Sequence, residues 1–97
     1  MILRDEIHEA LEKRFGVYIM NYGCNRPAGY PTLVICSWGR FIAMEIRWNG
    51  NPLRKTQQEA KEKIQGQGAI YIEVESVEEA IWKLGEIIDA KLYRNTH

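Results

Sequence analysis

The chain has 97 residues, with 13 basic and 13 acidic side chains for a formal net charge of zero, and it is 45% hydrophobic and 27% charged. That length accommodates a single domain, 1–97, with one core and one site, and the balanced charge rules out whole-molecule attraction to nucleic acid. No apolar run approaches the roughly 20 residues of a membrane span, and MILRDEIHEALEKRF lacks the unbroken apolar centre of a secretory signal. The expectations are no membrane association and a cytoplasmic location.

Leu3, Ile7, Ala10, Leu11 and Phe15 fall at three-and-four spacing, with Arg4, Asp5, Glu9, Glu12 and Lys13 opposite and Gly16 as a stop, which predicts an amphipathic helix. Val17 to Tyr22 is a short β-rich run, ended by Gly23 and the Asn25, Arg26, Pro27, Gly29 cluster. Leu33 to Cys36 is continuously apolar, as in a strand covered on both faces, and Ser37 to Arg40 can turn the chain into a return strand from Phe41 to Trp48. Asn49, Gly50, Asn51 and Pro52 break the pattern. A polar helix follows from about Lys55 to Gln65, with Ala60 and Ile64 as a sparse apolar seam, so one of its sides is solvated or faces a ligand. Ala69 to Val74 is a further strand, and Ser76 with Glu79 forms a capping box that opens a last helix through Val77, Ala80, Ile81, Leu84 and Ile88. The order gives an α/β sandwich: a mixed sheet whose first three strands form a meander, with a crossover helix leading to the fourth.

Cys24 and Cys36 have no second Cys or His at zinc-site spacing and are read as free thiols. Residues 40–67 hold Arg40, Arg47, Arg54, Lys55, Lys61 and Lys63 against three glutamates, whereas 68–97 carry six acids against three bases. The middle segment is therefore locally basic, either a phosphate-facing surface or an ordinary solvated face. In FIAMEIRW the alternation of a strand sets Glu45 and Arg47 on one face with Phe41 and Ala43, and Ile42, Met44, Ile46 and Trp48 on the other. A Glu-x-Arg at a sheet edge is usually solvated. A carboxylate inside a sheet must instead be paired or bind a metal, and an acid beside a fixed positive charge suits metal-dependent phosphodiester cleavage.

The longer string is more specific. Gly29, Tyr30, Pro31 and Thr32 open a strand; Gly39, Arg40 and Glu45, Ile46, Arg47 frame the next; Asn49 and Gly50 form a loop; Gln57 and Gln58 open a helix. This pattern resembles the PD-(D/E)XK nuclease superfamily, and within it the small stand-alone VRR-NUC type, over about Glu6 to Leu84. The resemblance implies a restriction-endonuclease-like αβββαβα three-layer core with a mixed sheet of about four strands.

It also implies site residues. The family's metal-binding Asp corresponds to Thr32, its second acid to Glu45, its Lys to Arg47 and its helix Gln to Gln57. A metal would be held by Glu45, the carbonyl of Ile46 and Glu6, with Glu9 the weaker match for that last acid. The phosphate backbone would be met by Arg47, Arg54, Lys55, Gln57 and Lys61. The cofactor implied is magnesium or manganese if the site is active, and none otherwise. Threonine is a poor ligand for magnesium, and arginine cannot be deprotonated to act as a base, so both departures favour impaired catalysis. An ion pair between Arg47 and Glu45 would then satisfy a metal-free site.

Three functions stay open: a nucleic-acid-binding protein with impaired catalysis, DNA before RNA; an active, structure-specific DNA endonuclease with altered ligands; and a protein-interaction or inhibitor module on the same scaffold. The resemblance further suggests a homodimer and a viral source, with action in the host cytoplasm.

Overall fold

The computed structural model describes residues 2–48 and 50–95, with side chains through Asp89; Asn49 of the predicted loop lies outside them. The elements in chain order are α1 (Leu3–Phe15), β1 (Tyr18–Asn21), β2 (Leu33–Ser37), β3 (Arg40–Ile46), α2 (Lys55–Gly66), β4 (Ile70–Val74) and α3 (Val77–Asn95). Helix α1 carries Asp5 and Glu6 in its first turn and Lys13 and Arg14 in its last, matching the helix dipole, and Gly16 closes it in the left-handed conformation. Ser76 accepts the Glu79 amide at 3.0 Å, and the Glu79 carboxylate reaches back to the Glu75 amide at 2.6 Å, so the predicted cap of α3 forms with its return bond one residue earlier.

The sheet runs β1-β2-β3-β4, with β1, β2 and β3 antiparallel and β4 parallel to β3 across the α2 crossover. This is the predicted meander plus crossover. Ser37 pairs with Arg40, leaving Trp38 and Gly39 as a two-residue turn with both φ positive, at 52° and 79°, the tight hairpin whose twist matches that of the strands. Strand β3 ends at Ile46, two residues short of the predicted Trp48, because Arg47 turns to bind the loop that follows.

Alternation sorts the sheet into two faces. Ile19, Leu33, Ile35, Ile42, Met44, Ile46 and Val74 join Ile7 and Leu11 of α1 and Ala80 and Leu84 of α3 in one buried cluster. Helix α2 contributes no buried residue and lies over the other face, near β4. The result is three layers, α1 and α3, sheet, α2. The apolar core is on the α1/α3 side, and the α2 side holds the polar residues of interest.

Candidate functional site

A row of polar side chains crosses the sheet beneath α2. Glu45 is paired in register with Glu73 of β4 on one side, and Thr32, just before β2, faces it on the other. Glu45 is 2% exposed and Thr32 5%. The Ile46 amide donates to Thr32 Oγ1 at 3.3 Å, which orients the hydroxyl to donate to Glu45 Oε2 at 2.8 Å. Thr32 is thus a positioning link from backbone to carboxylate.

Arg26, in the loop between β1 and β2, completes the set. Its Nη2 lies 3.5 Å from the same Glu45 Oε2, while Nε donates to the Tyr30 carbonyl at 2.8 Å and Nη1 to that of Gly23 at 2.6 Å. Glu45 Oε1 is buried with no partner among the described residues. Burial pushes the Glu45 carboxyl above the usual carboxylate range, against the opposing pull of the Thr32 hydrogen bond and the Arg26 charge. The folded state therefore holds a proton that the unfolded chain releases, and stability falls as pH rises from the ordinary glutamate range through the raised value. Glu45→Gln is expected to lose less stability than wild type as pH rises from acid to neutral, read from melting temperatures across a pH series.

Arg47 does not pair with Glu45, contrary to the expectation from the sequence. Its Nη1 binds Glu73 Oε1 at 3.1 Å, and its Nε and Nη2 donate to the carbonyls of Asn51 and Gly50 at 2.6 and 3.0 Å. Glu73 Oε2 takes Lys61 Nζ at 2.8 Å. The reason is register: Glu73 sits directly across from Glu45 on the parallel neighbour, where two like charges would repel, and each acid has acquired its own cation. Two of the five predicted phosphate contacts, Arg47 and Lys61, are thereby engaged. Arg54 and Lys55 remain exposed at the start of α2, without an ion pair among the described residues.

Gln57 stands where predicted, at the start of α2. Its Oε1 accepts the Arg54 amide at 2.8 Å, and it shares with Glu45, Ile46, Arg47 and Arg54 the wall of an open hollow of about 360 Å³. Beside it a second hollow joins Arg26, Gly29, Arg54, Thr56 and Gln57. Glu6 lies exposed on α1, with no hydrogen bond or ion pair to the Glu45 row among the described residues. Cys24 and Cys36 are free thiols, as read from the sequence.

These donors fit a divalent cation poorly. No group of three Asp, Glu, His or Cys side chains converges among the described residues. The Thr32 proton is committed to Glu45, and the Arg26 guanidinium already lies 3.5 Å from the same carboxylate oxygen.

Tyr71 completes the α2 face. Paired with Ala43 and 8% exposed, it packs its ring under Lys61 Nζ, 5.7 Å from the centroid, and its hydroxyl is buried without a partner among the described residues. Burial, reinforced by the nearby Glu45 and Glu73 charges, pushes the phenol well above its usual range. Tyr71→Phe is expected to keep the ring packing and raise stability by about 1 kcal/mol in urea denaturation, because it removes an unsatisfied polar group.

Comparison with known proteins agrees with this architecture. No family profile and no curated protein matches the sequence. A solved structure described as a VRR_NUC domain superposes with a TM-score of 0.68 at 16% identity, over 88% of this chain and 97% of that one. With the four-stranded mixed sheet between its helix layers, the chain has the restriction-endonuclease-like fold of a VRR_NUC domain.

Proposed function

We propose that this protein is a nucleic-acid-binding module on a VRR_NUC-like nuclease fold in which strand cleavage is impaired. The observation that carries this reading is the state of Glu45. The acid that corresponds to a nuclease metal ligand is closed off by Thr32 and Arg26, and among the described residues no second carboxylate is free to join it. Phosphate oxygens would be met by Arg54 and Lys55 at the start of α2, supported by Gln57, with little sequence readout because such contacts position a backbone without reading bases. DNA is the expected partner before RNA. Pairing of two copies is part of the same proposal, and the surface available for it is the part of the sheet that α2 leaves uncovered, where Tyr18, Tyr22, Tyr30 and Phe41 are exposed. No helix among the described residues is long and apolar enough to cross a membrane.

The test is cleavage of labelled duplexes, single strands, flaps and four-way junctions with magnesium or manganese, comparing wild type with Glu45→Ala and Thr32→Asp. Wild type is expected not to cut. Cutting by wild type that Glu45→Ala abolishes would make the protein an active nuclease with an unusual ligand set and overturn the proposal. Cutting gained by Thr32→Asp alone would trace the loss to that one residue.

A further inference from the structure

Arg26 lies in an irregular loop, yet two hydrogen bonds and an ion pair fix its guanidinium. Two of its nitrogens are fixed by backbone carbonyls of the same loop, Tyr30 and Gly23, which leaves Nη2 aimed at Glu45. The two side chains are 21% and 3% exposed, so water screens their charges weakly. The neighbouring acid is countered in the same way, Glu73 lying between Arg47 and Lys61. Arg26 thus answers the charge of Glu45, and Arg47 with Lys61 answers that of Glu73.

A divalent ion entering here would lie against a fixed guanidinium, and its hydration shell has no access to Glu45 Oε1, which is fully buried. A phosphate oxygen would instead meet the exposed Arg54, which lines the same hollow as Glu45. We propose that Arg26 is the resident cation of the site, holding against Glu45 the place a divalent metal would take, so that the Glu45 face receives phosphate without metal. This rests on reading the Glu45 face as the nucleic-acid site.

Titration calorimetry with manganese on the full chain tests it, using wild type, Glu45→Gln, Thr32→Asp and the double variant Arg26→Gln/Thr32→Asp. Glutamine at position 26 removes the charge while keeping an amide nitrogen at the place of Nε, which binds the Tyr30 carbonyl, and circular dichroism checks each fold. Wild type and Thr32→Asp are expected to show no manganese binding and no change in melting temperature with the metal. The double variant is expected to bind manganese measurably, on the order of tenfold or more above the detection limit that bounds Thr32→Asp, because unit charges a few ångströms apart interact strongly even near a protein surface. Manganese binding to wild type that Glu45→Gln removes would overturn the inference. So would Thr32→Asp binding as tightly as the double variant, or a folded double variant that binds nothing. Should the double variant not fold, the wild-type titration with its Glu45→Gln control decides alone. DNA binding is measured separately: its absence would defeat the proposed function and leave the manganese result standing.

Discussion

Replacing Gly29 by alanine is expected to destabilise the protein by about 3 kcal/mol or more, the sum of left-handed backbone strain and overpacking. Gly29 has φ +89°, and a Cβ there would lie 2.7 Å from the Thr56 carbonyl oxygen and 3.2 Å from its carbon. Both obstacles are backbone atoms in the first turn of α2, so relief requires moving the helix away from the loop. That movement would reach the site, because Tyr30 supplies the carbonyl that holds Arg26 and Thr32 follows two residues later. Gly39→Ala is the control. Gly39 has φ +79° but open space where the Cβ would point, so only the backbone strain of about 1–2 kcal/mol should register in urea denaturation.

Arg47→Ala is expected to cost about 2 kcal/mol, because three charge-assisted hydrogen bonds are lost together and the carbonyls of Gly50 and Asn51 lose their donors. Lysine is the informative second variant. Its single ammonium can keep the bond to Glu73 but cannot span two carbonyls and a carboxylate, so Arg47→Lys should recover roughly half of the loss. Recovery of all of it in denaturation curves would show that the planar fork is not what holds the turn after β3. Restoring the lysine of the nuclease pattern is therefore expected to cost stability, and to bring no cleavage while Thr32 and Arg26 remain.

The elements were legible in the sequence because each is locally self-consistent. The three-and-four spacing of Leu3, Ile7 and Leu11, the alternation from Phe41 to Ile46 and the Ser76–Glu79 cap are all read from neighbours in the chain. The place of Glu45 was legible for the same reason: strand parity put it with Ala43, away from Met44 and Ile46, and that is the face α2 covers. Its partners were not. Glu73 belongs to the row only through the register of β3 with β4, a long-range property, although the alternation of Tyr71 and Glu73 with Ile70, Ile72 and Val74 already marked one face of β4 as polar. Arg26 sits among Asn25 and Pro27 in a loop with no periodicity, and only the closure of that loop brings it to Glu45. Assigning Arg47 to Glu45 followed from their spacing of two along one strand. The strand ends at Ile46, and the fork turns to Gly50, Asn51 and Glu73 instead.

The most direct test of a nucleic-acid-binding role is the fluorescence anisotropy of a labelled DNA duplex in EDTA, titrated with wild type and with Arg54→Ala/Lys55→Ala over a range of salt concentrations. Wild type is expected to bind without metal and to weaken steadily with salt. The double variant is expected to bind more weakly, with its log-log salt slope reduced by about 2, one for each lost phosphate contact. An absence of wild-type binding at low salt would contradict the account and favour a protein-interaction module on the same scaffold. Binding that the double variant leaves unchanged would contradict the placement of the phosphate surface at the start of α2.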